Sequence, residues 1–260
     1  MRLTGFQDRI AFVTGASGGI GAAIVRLLLE AGAQVCATDL DPARLEALDV
    51  SLAAGTRLRT HVLDVRDAEA VEALVAGVEQ DWGPIDLGVN VAGVLSGDRV
   101  VDTDDATWRQ VFAVNTDGVF HVSRALARRW TPRGRGALVT VASNAAGVPR
   151  QAMAAYAASK AAAVMFTRCL GLELAPLGIR CNIVAPGSTL TAMQTGMWAD
   201  ADGAARVIAG FPEQYKAGIP LRKLASPEDV AHAVLFLLSE QAGHIAMADL
   251  YVDGGATLRG

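Results

Sequence analysis

The chain has 260 residues, 52% of them hydrophobic and 19% charged, and its formal net charge is −4 at pH 7. This length suits one large α/β domain or two small ones, and the apolar content favours a large buried core. Because the acidic chain has no cluster of lysines and arginines, we exclude a general polyanion binder and predict no nucleic-acid partner.

Short β-branched runs alternate with longer segments of helical periodicity, which is typical of a parallel sheet flanked by helices. No composition shift or long linker divides the chain, so we predict one α/β domain over residues 1–260, with a doubly wound, seven-stranded parallel sheet and helices on both faces. The predicted strands are residues 10–14, 34–39, 57–63, 85–90, 136–142, 179–185 and 248–252. The predicted helices are residues 20–31, 42–53, 68–82, 104–130, 152–175 and 227–239.

Residues 189–224 interrupt this alternation between the sixth strand and the last helix. Several glycines and the Phe211-Pro212 pair break its helical stretches. A long insertion at such a place is usually a binding loop or a lid, so we predict a substrate lid, with a surface excursion of no function as the alternative.

The three cysteines, Cys36, Cys169 and Cys181, are odd in number, widely spaced and without a metal-binding pattern. They indicate reduced thiols, and we predict no metal site. Neither a signal peptide nor a run of transmembrane length is recognisable. We therefore expect a cytoplasmic protein without a membrane partner.

A glycine-rich turn follows the first predicted strand, with the sequence Thr14-Gly-Ala-Ser-Gly-Gly-Ile-Gly21. Glycines let the backbone turn tightly and approach a pyrophosphate, while the N-terminus of the next helix supplies free N–H groups and a positive dipole end. Such a turn between a strand and a helix predicts dinucleotide binding.

The second predicted strand ends in Asp39, eighteen residues after Gly21. A carboxylate there can accept hydrogen bonds from the hydroxyls of an adenosine ribose, and its charge repels a 2′-phosphate, which favours NAD over NADP. Ser17 and Leu40 offer no positive charge to a 2′-phosphate, whereas Arg44 is near enough to keep NADP open. Capping of the next helix is the alternative role for Asp39.

Two further strand ends point to the same crevice. Asp64-Val65 follows the third strand and suits the edge of an adenine, and Asn90-Val-Ala-Gly93 follows the fourth and brings small residues against a cofactor. Helix capping by Asp64 and a simple turn at Gly93 are the alternatives.

Tyr156 and Lys160 are four residues apart in a predicted helix. This spacing puts both side chains on one face, with their Cβ atoms about 5–6 Å apart. An ammonium beside a phenol favours the phenolate and lowers the pKa of the tyrosine toward the working range of a general base. The pair alone is weak evidence, because it also occurs on solvated helices.

Together with Pro186-Gly187 and Val252-Asp-Gly-Gly255, these motifs resemble the short-chain dehydrogenase/reductase family in order and spacing over residues 9–255. The resemblance implies a Rossmann-type fold and an NAD-dependent oxidoreductase that acts on a CH–OH group. Val91 departs from the family pattern, in which many members have a second asparagine.

The resemblance also implies the catalytic roles. Tyr156 is expected to take the proton of a substrate hydroxyl, Lys160 to hold the nicotinamide ribose and lower the pKa of Tyr156, and Ser143 to bind the reacting oxygen. Asn115 is expected to anchor a water that leads the proton to solvent. The implied cofactor-binding residues are Gly15, Ser17, Gly19, Ile20, Gly21, Asp39, Leu40, Asp64, Val65, Asn90, Ala92, Gly93, Tyr156, Lys160, Pro186, Gly187 and Thr189.

Segments around Arg150 and in the predicted lid are similar to those of family members that oxidise trans-2,3-dihydro-2,3-dihydroxybenzoate with NAD and supply 2,3-dihydroxybenzoate to catecholate siderophores. Arg150, on the loop between the catalytic strand and helix, is then the candidate partner of the substrate carboxylate, as a bidentate fork. A solvent-exposed loop arginine is the alternative. The implied substrate-binding residues are Ser143, Arg150, Tyr156, Met193, Gln194, Trp198 and Phe211.

Other functions stay open at this point. An amine in place of one ring hydroxyl, as in trans-2,3-dihydro-3-hydroxyanthranilate, or a generic cyclic-alcohol or ketoacyl substrate, would use the same catalytic residues. A catalytically silent dinucleotide sensor would be expected to lack Ser143, Tyr156 or Lys160, and this chain has all three. The resemblance further implies a homotetramer assembled through the helices predicted at residues 104–130 and 152–175.

Overall fold

The computed structural model describes residues 3–258, and its strands begin and end close to the predicted residues. All strands except β7 and β8 form one parallel sheet of seven strands in the order β3-β2-β1-β4-β5-β6-β9, which confirms the predicted fold class. The strands are β1 (Ile10–Thr14), β2 (Gln34–Asp39), β3 (Leu58–Val62), β4 (Ile85–Asn90), β5 (Ala137–Val141), β6 (Arg180–Pro186), β7 (Gly210–Phe211), β8 (Lys216–Ala217) and β9 (Asp249–Val252).

The helices also follow the prediction, except that the segment predicted as one helix over residues 104–130 contains a π-helical turn at Ala113–Asp117. The Ser226 side chain caps the last helix by accepting a hydrogen bond from the backbone N of Asp229 at 3.2 Å. The helices are α1 (Gly19–Glu30), α2 (Pro42–Leu52), α3 (Ala68–Asp81), α4 (Asp105–Phe112), α5 (Gly118–Trp130), α6 (Ala154–Leu174), α7 (Ala192–Thr195), α8 (Gly203–Ala209) and α9 (Pro227–Leu238).

Strand β1 shows why both faces of the sheet are covered. All five of its residues are buried, and its side chains alternate between two apolar clusters. Ala11 and Val13 pack with α1, α2 and α9 on one face, while Ile10 and Phe12 pack with α3 and α5 on the other. A strand buried on both faces is apolar throughout, which explains the continuous run Ile-Ala-Phe-Val.

The strand order reverses between β1 and β4, the two central neighbours. Chain connections leave this point in opposite directions, so a crevice opens beyond the carboxyl ends of the two strands, where doubly wound sheets bind ligands. The predicted glycine-rich turn follows β1, and the predicted Asn90-Val-Ala-Gly93 segment follows β4. Both therefore lie at this crevice.

Residues 189–224, called here the β6–α9 connection, contain the short helices α7 and α8 and the antiparallel pair of β7 and β8. Its two ends are held together, because the backbone N of Leu190 donates to the oxygen of Ala225 at 2.8 Å and the N of Ala225 donates to the oxygen of Ser188 at 3.1 Å. The connection is thus an excursion with a fixed base.

No helix within residues 3–258 is both long enough and apolar enough to cross a membrane.

Candidate active site

Tyr156, Lys160 and Ser143 come together at the carboxyl end of β5. Tyr156 and Lys160 lie one turn apart on α6, and Ser143 lies two residues beyond the end of β5. All three side chains are buried, and the interaction with the Ser143 hydroxyl lowers the pKa of Tyr156. The oxygen of Ser143 also accepts a hydrogen bond from the backbone N of Ala145 at 3.1 Å. Its own hydroxyl hydrogen is therefore free to point toward Tyr156 or a substrate oxygen.

Burial affects the pKa of both Tyr156 and Lys160. Burial raises the pKa of Tyr156 above that of a free tyrosine, opposed only by the hydrogen bond from Ser143. Lys160 Nζ lies 5.9 Å from the centre of the Tyr156 ring and donates to the backbone oxygen of Val141 at 3.1 Å. Burial also lowers the pKa of Lys160 itself, to about 8.

The π-helical turn carries Asn115, which is fully buried. Its amide oxygen accepts from the backbone N of Val94 at 2.9 Å, and its amide nitrogen donates to the oxygen of Val94 at 2.9 Å and to Ser159 Oγ at 3.0 Å. The side chain thus ties the segment after β4 to the catalytic helix. Most of its hydrogen-bonding capacity is used by protein groups, so any water-anchoring role would rest on the remaining lone pair or on the backbone oxygen.

Gly93 shows how closely these groups pack. A Cβ atom at this position would lie 3.2 Å from Lys160 Nζ and 3.3 Å from Asn115 Oδ1. A side chain would therefore push against both polar groups, which explains why the chain has glycine here although the backbone φ does not require it.

The glycine-rich turn forms a cradle that side chains would fill. Gly15 has φ of 61°, and a Cβ there would lie 2.6 Å from the backbone N of Ala92, while a Cβ on Gly21 would collide with the oxygen of Gly15. Helix α1 begins at Gly19 without a side-chain cap, so the N–H groups of its first turn face the crevice, and Ser17 Oγ is buried without a hydrogen-bond partner among residues 3–258. These features suit a bound pyrophosphate.

Asp39 is already oriented by the backbone around it. Its Oδ2 accepts from the N of Ser17 at 3.0 Å, and its Oδ1 accepts from the N of Leu40 at 2.8 Å. The carboxylate therefore stands at the side of the crevice, with oxygen lone pairs left for a ribose. Arg44 lines the same crevice, but its Nε lies 3.4 Å from Asp41 Oδ2 in an ion pair.

In the wall of the crevice, Asp64 is paired with a residue that the sequence patterns did not single out. Arg66 lies against it, with 2.6 Å between Arg66 Nη2 and Asp64 Oδ2, and its Nη1 donates to Gln110 Oε1 at 2.8 Å. These hydrogen bonds lower the pKa of Asp64. The only sequence sign of Arg66 was its position directly after Asp64-Val65.

The crevice and a second cavity of about 200 Å³ share walls at Ile20, Val91, Gly93, Thr191 and Met193, so they form one continuous site. Asn90 lies below it, because its amide donates to Ser123 and Thr140 in the interior. The predicted cofactor residues that line this continuous site are Gly15, Gly19, Ile20, Gly21, Asp39, Leu40, Asp64, Val65, Ala92, Gly93, Tyr156, Lys160, Pro186, Gly187 and Thr189.

The second cavity contains most of the predicted substrate residues. Trp198 and Phe211 are not part of its wall. The Trp198 indole packs onto Gly203 at the start of α8, and the Phe211 ring lies 5.2 Å from Lys216 Nζ. Lys216 itself does line the cavity, although no pattern of the sequence predicted it. The predicted substrate residues in the wall are Ser143, Arg150, Tyr156, Met193 and Gln194, and they are joined by Met153, Met197, Val207, Lys216 and Ile219.

Within residues 3–258 no group of three or more histidine, cysteine, aspartate or glutamate side chains is placed to hold a metal ion. The three cysteines are unpaired, with Cys36 and Cys181 buried and Cys169 exposed.

The whole chain is similar to known dehydrogenases and reductases. A family model described as enoyl-(acyl carrier protein) reductase matches residues 15–257. The 2,3-dihydro-2,3-dihydroxybenzoate dehydrogenase of Bacillus subtilis (strain 168) is 54% identical over 259 residues, which are 99% of each chain. The protein of the same name from Escherichia coli (strain K12) is 41% identical over 253 residues, covering 97% of this chain and 98% of the other. A solved structure described as a short chain dehydrogenase/reductase family protein matches with a TM-score of 0.86 and 32% identity over 100% of both chains.

Proposed function

This chain belongs to the short-chain dehydrogenase/reductase family, and we propose that it oxidises trans-2,3-dihydro-2,3-dihydroxybenzoate to 2,3-dihydroxybenzoate with NAD. The observation that carries the proposal is that Ser143 and Tyr156 share one cavity with Arg150, beside the dinucleotide crevice. The 54% identity to the Bacillus subtilis dehydrogenase supports the same substrate.

Tyr156 is the group that accepts the proton of the substrate hydroxyl. Ser143 donates to the oxygen that carries the developing negative charge, whether on the tyrosine or on the substrate, and so stabilises the charged state. Because burial alone raises the pKa of Tyr156, the tyrosine depends on Ser143 and on the positive charge of Lys160 to lose its proton near neutral pH. Lys160 can stabilise the tyrosinate only while it carries a positive charge. Its pKa of about 8 therefore sets the upper end of the pH range in which it can do so.

NAD fits the crevice, and when bound it supplies the acceptor for the hydride that leaves the carbinol carbon. Gly15, Gly21 and the first turn of α1 would hold its pyrophosphate. Asp39 would accept hydrogen bonds from the adenosine ribose, and its charge disfavours a 2′-phosphate. Arg44, which would favour NADP, lies in an exposed ion pair with Asp41.

Arg150 binds the carboxylate of the substrate in this proposal. The side chain is half-buried, and burial lowers its pKa, which is the mark of a cation with incomplete hydration. Met193 and Gln194 reach the same cavity from the β6–α9 connection. We propose that this connection acts as the substrate lid of a single domain formed by residues 1–260.

A homotetramer is also proposed. Helices α5 and α6 expose large apolar side chains, among them Phe120, Met165 and Leu172, the last with 67% of its surface exposed. Monomers seldom leave such clustered apolar surface uncovered, so a second copy of the chain is the occupant we propose. The buried thiols of Cys36 and Cys181 support a reducing, cytoplasmic location.

The direct test is to measure NADH formation when the purified protein is given the dihydrodiol acid and NAD. Equimolar NADH and 2,3-dihydroxybenzoate support the proposal. Turnover of unrelated alcohols without turnover of this acid would overturn it.

A further inference from the structure

Besides Lys160, the substrate cavity has two cationic side chains in its wall, Arg150 and Lys216. They come from different parts of the fold, since Arg150 lies in the loop between β5 and α6 whereas Lys216 begins β8 in the β6–α9 connection. Both are half-buried, and within residues 3–258 neither side chain makes an ion pair. The chain as a whole is acidic, so this local excess of positive charge is a property of the cavity.

The two cations are close enough to affect each other. Burial lowers the pKa of Lys216, and the charge of Arg150 lowers it further. Burial lowers the pKa of Arg150, and the negative charge of Asp253 partly offsets this effect. The Asp253 carboxylate, however, is hydrogen-bonded to other groups. It accepts hydrogen bonds from Asn144 at 3.4 Å, from the N of Gly255 at 2.9 Å and from Thr257 Oγ1 at 2.7 Å.

Lys216 lies in the cavity wall, on the hairpin formed by β7 and β8. It pairs with Phe211 across β7 and β8, and its Nζ lies 5.2 Å from the centre of the Phe211 ring. A cation at that distance is attracted by the face of the ring. Because Ala217 and Ile219 also line the cavity, this part of the connection covers the site directly.

We propose that Lys216 is a second carboxylate-binding residue, and that the substrate carboxylate bridges Lys216 and Arg150 and thereby fastens the β6–α9 connection over the site. This inference rests on the proposed function, since it assigns the lysine to the same substrate. A carboxylate has enough lone pairs to accept from a guanidinium and an ammonium together. It also removes the repulsion between the two cations, which a neutral ring alcohol cannot do. Lys216 is therefore a residue that selects acids over neutral cyclic alcohols.

Equilibrium binding tests the assignment without relying on turnover. The affinities of the NAD-saturated protein for 2,3-dihydroxybenzoate and for catechol are compared by calorimetry in the wild type, Lys216→Met and Lys216→Arg. Lys223→Met is the matched control, because Lys223 is exposed and lines a different cavity. We expect Lys216→Met to reduce the preference for the acid roughly 10- to 100-fold, the usual range for losing a charged hydrogen bond. Lys216→Arg should restore most of it, and Lys223→Met should leave it unchanged.

Hydrogen exchange tests the fastening of the connection. Adding 2,3-dihydroxybenzoate should slow amide exchange within residues 189–224 of the wild-type protein, and catechol should not. Lys216→Met should lose this difference while its exchange in the sheet stays as in the wild type, which would exclude general misfolding as the cause.

The two claims fail separately. An unchanged preference for the acid in Lys216→Met would overturn the role of Lys216, even if the wild type oxidises the dihydrodiol acid rapidly. No turnover of that acid would overturn the proposed function, while a Lys216-dependent preference for benzoate over benzyl alcohol would still support the paired cations.

Discussion

Lys160 Nζ lies 3.1 Å from the backbone oxygen of Val141, so the catalytic helix is hydrogen-bonded to the strand that leads to Ser143. Both groups are buried, and the ammonium has no carboxylate beside it among residues 3–258. Burial of an unpaired charge costs stability, which appears as the lowered pKa of Lys160.

Lys160→Met should therefore make the protein more stable at pH 7 in the absence of NAD, and inactive. The pKa falls from 10.5 to about 8, and one pKa unit corresponds to about 1.4 kcal/mol, so the gain is at most roughly 3 kcal/mol before the lost hydrogen bond to Val141 is subtracted. Urea denaturation of both proteins measures it.

The pH dependence of the stability provides a second test with the same variant. Between pH 8 and 10.5 the lysine of the unfolded chain keeps its proton while the native one has lost it, so this group makes the stability rise with pH. Burial raises the pKa of Cys36 and of Cys181 to about 12, and these thiols act in the opposite direction above about pH 9, equally in both proteins. The raised pKa of Tyr156 acts in the opposite direction only above pH 10, where a free tyrosine ionises. The wild type should therefore gain stability from Lys160 between pH 7 and pH 9.5, whereas Lys160→Met has no lysine to titrate. The difference in the free energy of unfolding between the two proteins should be smaller at pH 9.5 than at pH 7. A gap between the two proteins that does not narrow with pH would contradict the assignment.

Tyr156→Phe should bind NAD as the wild type does and lose activity by about 10²- to 10⁴-fold, the range for removing a general base. Steady-state kinetics and fluorescence titration with NADH measure the two quantities. Retention of most of the activity would show that another group takes the proton.

Gly93→Ala should lower activity with little change in the fold, because the added methyl group would press on Lys160 and Asn115 at 3.2 and 3.3 Å. We expect a fall in kcat together with a shift in the pH profile of oxidation. Gly77→Ala is the control, since a Cβ there meets nothing within 4 Å. Equal activities of the two variants would mean that the catalytic groups tolerate displacement.

Asp39→Asn removes the charge that repels a 2′-phosphate, and its single amide oxygen can keep only one of the two hydrogen bonds from the backbone N of Ser17 and of Leu40. The ratio of kcat/KM for NAD to that for NADP should fall by about tenfold or more, which is the effect of one charged hydrogen bond. Asp49→Asn, an exposed aspartate on α2, is the control. If both variants keep the wild-type ratio, Asp39 does not decide the choice of cofactor.

Leu172→Asp should dissociate the proposed tetramer into smaller species, because it places a charge on the exposed apolar face of α6. Sedimentation velocity distinguishes the species. Val50→Asp changes an apolar residue that is 74% exposed on α2 and should leave the assembly intact. A wild-type protein that sediments as a monomer would refute the tetramer.

The sequence predicts the sheet well, because the central strands β1, β4 and β5 are apolar runs buried on both faces. The strands β1, β2 and β4 have the predicted bounds without change. The sequence does not predict the π-helical turn at Ala113–Asp117, because these residues also fit an uninterrupted α-helix. Only the packing around Asn115 distinguishes the π-helical turn from an α-helical one.

The sequence indicates which residues meet at the site where the sheet and its helices fix their positions, and indicates it poorly in the β6–α9 connection. Ser143, Tyr156 and Lys160 are held by β5 and α6, so their meeting follows from the topology. Trp198 and Phe211 looked suitable for a ring pocket, but local packing turns them elsewhere. Lys216 escaped notice because strands of two residues show no periodicity that would reveal the side to which it points. The pKa of Tyr156 could not be anticipated from spacing, since it depends on burial.

A substitution of Arg150 tests whether this arginine binds the substrate carboxylate or is an ordinary loop arginine. Arg150→Met should raise KM for the dihydrodiol acid by about 10- to 100-fold and change kcat/KM for a neutral cyclic alcohol far less. Arg222→Met, an exposed arginine near the end of the connection, serves as the control. An equal loss on both substrates would indicate a structural role.

The central claim is tested most directly by following NADH and aromatic product together in one reaction with trans-2,3-dihydro-2,3-dihydroxybenzoate and NAD. We predict that the wild-type protein forms one NADH for each 2,3-dihydroxybenzoate and that Tyr156→Phe forms almost none. A wild-type protein that leaves this acid unchanged but oxidises an unrelated alcohol would contradict the account.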